Sequence, residues 1–168
     1  MITRSIGRDM VSIMNEALKL EVGHKVLEIG AGSGWHASTV AEIVAPSDEL
    51  KERWGHVYTV EIIPSLAEFA RRNVKRAGYE DRVTIICGDG SEGYKKEAPY
   101  DRILVTAAAP YVPEPLKKQL KKGGIMVIPV GSLGFYQTLL RLTRINDEFY
   151  EEDLGGVAFV PLVGKHGH

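Results

Sequence analysis

The segment Val26-Leu-Glu-Ile-Gly30-Ala-Gly32-Ser-Gly34 concentrates residue types that can receive a ligand. An apolar run ends in glycines, and a helical pattern follows at once. Glycines without Cβ let a backbone approach a ligand closely, and a helix N-terminus offers free N–H groups. The spacing is not that of a dinucleotide site: counting G-x-G-x-x-G from Gly30 puts Trp35 where the third glycine belongs. A G-x-G-x-G turn with Glu28 before it suits a ligand with a cationic amino-acid portion better than a pyrophosphate. The alternative is a tight turn that serves the backbone alone. Two further apolar runs end in acids. Glu61 follows Val60, where a carboxylate can accept both hydroxyls of a ribose and would repel a 2′-phosphate. Asp89 lies in Gly88-Asp-Gly90, where it can accept from an adenine amino group while the glycines leave the ring room. Either acid alone could be a turn residue or a cap. Three such strand ends in succession face one crevice in an open α/β sheet, and that favours a site.

Other chemistry-bearing residues form no comparable set. His24, His36, His56, His166 and His168 show no metal-ligand pairing apart from His166-Gly-His168, placed at a mobile chain end, and we expect no metal. Cys87 is the single cysteine, read as part of a buried strand, and it implies a reducing compartment. Arg71, Arg72, Lys75 and Arg76 read as the solvated face of a helix rather than an RNA contact. Trp35 and Trp54 read as packing residues.

The elements that must position these residues alternate between apolar runs and amphipathic patterns, as in a parallel sheet covered by helices on both faces. Asp9 is a candidate cap for a helix bearing Met10, Ile13, Met14, Ala17 and Leu18, with Gly23 just past its end. A strand at Lys25 to Ile29 leads through the glycine turn to a helix from about Trp35 to Val44. Next come a strand at Val57 to Val60 and a helix capped by Ser65, with Leu66, Phe69, Ala70, Val74 and Ala77 on one face and Gly78 at its end. Strands at Val83 to Cys87 and Arg102 to Val105 precede a helix from about Glu114 to Leu120. Gly123-Gly124 then opens a strand at Ile125 to Pro129. From about Tyr136 strands follow without helices, and Asn146-Asp147 signals a hairpin turn. The polar stretch Ala45 to Gly55 reads as a surface connection at the end opposite the crevice.

The whole is a doubly wound Rossmann-like α/β fold, mostly parallel with antiparallel C-terminal strands, in one domain spanning 1–168. At 168 residues, 44% hydrophobic and 26% charged, the chain has ordinary globular composition for one core. A net charge of -1 removes the simplest case for a nucleic-acid or anionic-membrane binder and favours small or polypeptide substrates. No apolar run of signal-peptide or membrane-spanning length is present, so we expect a cytoplasmic protein.

Leu27 to Gly34, Glu61 and Gly88-Asp-Gly90 resemble the cofactor motifs of class I S-adenosylmethionine methyltransferases. More narrowly, Ala98-Pro-Tyr-Asp101, Thr106-Ala-Ala-Ala-Pro110, Val112-Pro-Glu-Pro115, Gly123-Gly124, Ile128-Pro-Val-Gly131 and Gly155 to Leu162 resemble the protein-L-isoaspartate O-methyltransferases. The match runs over nearly all of 9–163. The resemblance implies a transferase that methylates isoaspartyl residues of damaged proteins for repair, with S-adenosyl-L-methionine as cofactor and S-adenosyl-L-homocysteine as product. The methyl ester would close to a succinimide whose hydrolysis returns some normal aspartate. It implies that Glu28 and the backbone of Gly30, Ala31, Gly32 and Gly34 hold the methionine portion, Glu61 the ribose and Asp89 with Gly90 the adenine, with Ile62 packed on the nucleoside. Thr106, Ala107 and Ala108 would lie beside the reactive methyl, and their chemistry agrees: small side chains leave space, and backbone N–H groups can receive a carboxylate. That carboxylate, with a reference pKa of about 4, is ionised at neutral pH and demands no general base.

Two departures stand beside the resemblance. Family members carry a substantial segment before the first cofactor helix, and almost all of it is missing. Within that segment a Thr-x-Ser-x-Pro element contacts the acceptor; Thr3-Arg-Ser5-Ile-Gly7 offers its threonine and serine, with one extra residue before Met10 and no proline. Thr3 and Ser5 are therefore candidates for substrate binding and catalysis, the alternative being a frayed terminus. Two other functions stay open: a methyltransferase of this fold acting on another carboxylate or an RNA base, and a cofactor-binding homologue without turnover. The oligomeric state is not legible.

Overall fold

A computed structural model describes residues 7–168. Thr3 and Ser5 lie outside the described residues.

The chain folds around a seven-stranded sheet, which fits the mostly parallel α/β expectation with antiparallel C-terminal strands. The elements in order are α1 (Arg8–Leu18), β1 (Lys25–Ile29), α2 (Trp35–Val44), β2 (His56–Glu61), α3 (Pro64–Arg76), β3 (Val83–Cys87), β4 (Tyr100–Val105), α4 (Glu114–Gln119), β5 (Leu120–Val130), β6 (Gln137–Ile145) and β7 (Glu148–Val157). The strand order is β3-β2-β1-β4-β5-β6-β7. Pairs from β3 to β5 are parallel, whereas β5–β6 and β6–β7 are antiparallel. After β3 the chain returns to the other side of β1, so the order reverses between β1 and β4, where such sheets open a crevice at the C-terminal strand ends.

Alternation along the central strands divides the core into two faces. Val26, Val57, Leu104 and Val127 pack with α1, α2 and α3. Leu27, Ile29, Ile103, Val105, Met126 and Ile128 pack with Leu116 of α4. β5 is longer than its apolar run, because Leu120 already pairs with Tyr100 before Ile125 pairs with Arg102, and the intervening residues bulge out.

Several local expectations shift by a residue or a face. Gly7, not Asp9, is the N-cap of α1, and α1 ends at a left-handed Lys19, well before Gly23. Val11 joins Met14, Ala17 and Leu18 in the core while Ile13 faces solvent. α3 is capped by Ile63 with Pro64 in its first turn, so Ser65 caps nothing. Its buried face is Ala67, Ala70 and Val74; Phe69 is exposed because small residues are needed where α3 meets the glycine turn. β3 is an edge strand, which leaves Cys87 exposed instead of buried. Trp35 is 45% exposed at the head of α2 rather than packed in the core.

The polar connection 45–55 runs between the end of α2 and the start of β2, at the strand ends away from the crevice. Gly23 and Gly55 amides both donate to Val44 O, and Trp54 Nε1 donates to Pro46 O at 2.8 Å. Arg82 sits between Trp54 and Tyr79, its guanidinium 4.8 and 4.3 Å from their ring centres. Trp54 is thus the packing residue expected of it. The β6–β7 hairpin turns at Asn146 with φ 56°, as the Asn-Asp signal predicts.

Candidate functional site

The turn after β1 is shaped by two close approaches. Gly30 has φ 97°, and a Cβ there would lie 2.5 Å from Thr106 Oγ1. Gly34 has φ 82°, and a Cβ would lie 2.9 Å from Val74 on α3. Both positions therefore demand glycine. Thr106 pins the turn through its hydroxyl, 2.9 Å from Gly30 O and 3.0 Å from Ile29 O. Asn73 Nδ2 holds Ser33 O from α3 at 2.9 Å, and Ser38 Oγ holds Gly34 O at 2.9 Å. Sequence reading passed over Asn73 among the charges of α3; an asparagine inside an exposed helix is the signal that could have found it.

Glu61, at the end of β2, is 7% exposed and reaches across to the turn. Its Oε1 accepts from Gly32 N at 3.3 Å and its Oε2 from Ile63 N at 3.1 Å. Each oxygen keeps a further lone pair. The neighbouring Ile62 side chain is exposed, an apolar surface beside a carboxylate. Gly90 packs so closely on Ile29 that a Cβ would come within 2.4 Å of its Cγ2. Among the described residues, the amides of Ala31 and Ser33 meet no protein acceptor. Nothing lies within 4 Å of where a Gly32 Cβ would be, so the turn is open on that side. The Ala31 methyl itself is buried in the core under the turn.

Glu28 is placed differently from its expected role. Its carboxylate is 1% exposed and lies beneath the turn, on the face of β1 that α1, α2 and α3 cover. Oε1 accepts from Thr59 Oγ1 at 2.6 Å, while Oε2 has no partner. Its neighbour there is His36, 7% exposed, whose Nε2 lies 2.8 Å from Asn15 Oδ1 and whose Nδ1 is also unpartnered. The two orphan atoms stand 4.0 Å apart. Loss of hydration pushes the Glu28 carboxyl up to about 8, opposed by the Thr59 hydrogen bond and aided by the charge on Glu61. Burial pushes His36 down to about 4. Both shifts favour the neutral forms, so burial works against an ion pair here. The Glu28 carboxylate is thus closed off from solvent on the helix-covered face of β1, with one oxygen still unpartnered.

Asp89, after β3, is held by donors. Oδ1 accepts from Ser91 N at 3.0 Å and Ser91 Oγ at 2.7 Å, and Oδ2 accepts from Lys165 N at 2.8 Å. Burial opposes its charge, but the Lys165 and Ser91 donors outweigh it and hold the carboxyl below its usual value. The C-terminal tail is therefore pinned to the site, contrary to the expectation of a mobile end around His166 and His168. Nothing in its composition signalled this, since the contacts are made by backbone amides.

The shelf after β4 is mostly committed to the fold. Thr106 N donates to Ile29 O, Ala108 N to Val160 O and Ala109 N to Pro129 O. Ala108 is fully buried, and its carbonyl accepts from Leu162 N. The expectation that these amides receive an acceptor thus narrows to Ala107, whose N–H meets no protein acceptor among the described residues. No group of three or more His, Cys, Asp or Glu could hold a metal among the described residues.

A sheet whose order reverses between β1 and β4, with a glycine turn after β1 and carboxylates at the ends of the neighbouring β2 and β3, has close counterparts in known proteins. A Hyperthermus butylicus protein named protein-L-isoaspartate O-methyltransferase is 59% identical over 159 residues, 94% of this chain and 66% of its own length. A solved protein-L-isoaspartate O-methyltransferase superposes with a TM-score of 0.86 at 32% identity, covering 97% of this chain and 49% of that one. A methyltransferase from Geobacter sulfurreducens, solved with S-adenosyl-L-homocysteine, matches at TM-score 0.60 and 26% identity, over 76% of this chain and 49% of that one. The chain thus spans just under two thirds of the first relative's length and about half of each solved chain. The family model for protein-L-isoaspartate (D-aspartate) O-methyltransferase matches residues 4–167, and with that span and these identities the chain belongs to this family.

Proposed function

We propose that the chain forms a single S-adenosyl-L-methionine-dependent methyltransferase domain that esterifies the side-chain carboxylate of L-isoaspartyl residues in damaged proteins. The observation that carries this reading is that Glu61 reaches the open glycine turn after β1, while Asp89 and the free Ala107 amide follow β3 and β4 of the same sheet. The residues fit the cofactor. Glu61 retains lone pairs for a ribose diol, Asp89 retains one for an adenine amino group, Ile62 offers an apolar surface, and the free Ala31 and Ser33 amides suit the carboxylate of the methionine portion.

When bound, the cofactor supplies an electrophilic methyl group on a sulfonium. This chain's residues do the positioning. The Thr106 hydroxyl and Asn73 amide hold the glycine turn in shape, and the small side chains of Ala107 and Ala108 leave room for two reactants. The Ala107 N–H can orient an acceptor carboxylate, which is already ionised at neutral pH. Catalysis then rests on alignment and exclusion of water rather than on an acid–base pair. On the acceptor flank Gly131 N donates to Ala109 O, and the adjoining loop carries Phe135 and Tyr136, 77% and 85% exposed, suited to a polypeptide partner.

No helix among the described residues is long and apolar enough to cross a membrane. We place the protein in the cytoplasm on the unpaired, exposed thiol of Cys87. The test uses methyl-labelled S-adenosylmethionine and paired peptides with isoaspartate or aspartate at one position. Base-labile label on the isoaspartyl peptide alone is expected. Label on neither, with cofactor binding shown by calorimetry, would overturn the assigned acceptor.

A further inference from the structure

Ser91 is fully buried just beyond the Asp89 turn, although it is neither a glycine nor an acid and no motif singles it out. Its hydroxyl makes two hydrogen bonds in opposite senses. It donates to Asp89 Oδ1 at 2.7 Å and accepts from His166 N at 3.0 Å. Its own amide gives Oδ1 a second donor, and Lys165 N supplies one to Oδ2. A carboxylate has about four acceptor positions. Oδ1 is therefore filled, and Oδ2 keeps one.

The tail that provides Lys165 and His166 is anchored on both sides. Leu162 N donates to Ala108 O on the shelf after β4, and His168 N returns to Leu162 O. Lys165 Nζ lies 3.6 Å from Glu92 Oε1 next to the turn. Gly164 presses against the same carboxylate: a Cβ there would stand 2.0 Å from Asp89 Oδ1 and 2.7 Å from Ser91 Oγ, and its φ of 146° also favours glycine. Residues 162–168 thus run as a strap from the acceptor shelf to the nucleoside end, and Ser91 is the knot that ties strap and carboxylate together.

We propose that Ser91 is a positioning residue for nucleoside recognition: its hydroxyl fixes the rotation of the Asp89 carboxylate and docks the tail on it, leaving one acceptor on Oδ2 for an exocyclic amino group. This rests on the reading of Asp89 as the adenine-facing acid. A carboxylate locked in this way has no donor to offer a 6-oxo purine. The ionised Asp89 itself disfavours a 6-oxo nucleoside, and Ser91 with Gly164, neither of which needs to touch the ligand, sharpens the discrimination by aiming its free acceptor at the 6-amino group.

The experiment compares binding of S-adenosylhomocysteine and S-inosylhomocysteine by calorimetry at pH 7.5 to the full chain and to S91A, G164A and D89N, with thermal melts to show that each is folded. S91A and G164A are expected to weaken S-adenosylhomocysteine about tenfold and to lower the adenosyl-to-inosyl affinity ratio by a similar factor, the scale of one hydrogen bond to a charged group. D89N, which can present an amide donor, is expected to move the preference toward the 6-oxo ligand. Equal loss for both ligands in S91A and G164A would mean a merely structural role and overturn the proposal. Unchanged binding in both, with loss in D89N, would overturn it while leaving the adenine reading intact. Unchanged affinity and ratio in D89N would overturn that reading and the proposal with it. Should S91A fail to fold, G164A decides alone.

Discussion

Glu28 and Asp89 are acids of the same sheet end, and the fold treats them in opposite ways. Asp89 collects three donors and stays charged below the usual carboxylate range. Glu28 has one donor, an orphan oxygen and a neutral histidine beside it, and burial drives its carboxyl up to about 8. The lesson is that position at a strand end does not by itself leave an acid open to a ligand. What decides is which face of the strand its Cβ takes. Glu28 points into the face packed by α1, α2 and α3, whereas Asp89 follows its strand into a turn where backbone amides surround it.

The largest expected effect separates the two acids by stability. In the unfolded chain Glu28 ionises above its ordinary value of 4.5, while in the fold it stays protonated up to about 8, so native stability falls as pH rises through that window. Glu28→Gln removes this loss. It should stabilise the protein by about 2–4 kcal/mol at pH 8 and by almost nothing at pH 4, as read by urea melts at the two pH values. Its cofactor affinity should stay within about threefold of the parent, since loss of one hydrogen bond is worth more than that. A tenfold fall would return Glu28 to the ligand.

Asp89→Ala should do the reverse. Affinity for S-adenosylhomocysteine should fall by about 1–3 kcal/mol through a lost hydrogen bond to a charged group, and the melting temperature should fall as well because Ser91 and Lys165 lose their acceptor. Intact affinity in a folded variant would remove Asp89 from the site and abolish the contrast.

His36 sharpens the Glu28 side. Its folded value of about 4 lies below the ordinary 6.5, so its contribution is complete above pH 6.5 and is lost as pH falls toward 4. His36→Gln should flatten that acid limb by about 1–2 kcal/mol between pH 7 and 4.5. An unaltered slope would mean that His36 takes up its proton at the same pH in the folded and unfolded chain.

Cys87→Ser should have the smallest effect, within about 0.5 kcal/mol, because the thiol is exposed on an edge strand. A loss of several kcal/mol in a denaturant melt would show that the edge is covered.

The order of elements, the glycine turn after β1 and the acids at the ends of β2 and β3 were determined by the sequence alone. Apolar runs of strand length, helical periodicity and glycines at forced turns are local signals, and local signals survive without a structure. The antiparallel end of the sheet was legible for the same reason, from strands at Gln137 and Glu148 with Asn146 between them. The tertiary structure decided the rest. It put Glu28 beneath the turn, exposed Cys87 at an edge, spent the amides of Ala108 and Ala109 on Val160 and Pro129, and laid the tail on Asp89 and Ser91. Each of those outcomes depends on which segments far apart in the chain become neighbours, and two of them are made by backbone groups that every residue carries alike. Residue type cannot announce a hydrogen bond given by Lys165 N or Ala108 N, because the donor is the peptide unit and its partner is chosen only when the sheet closes.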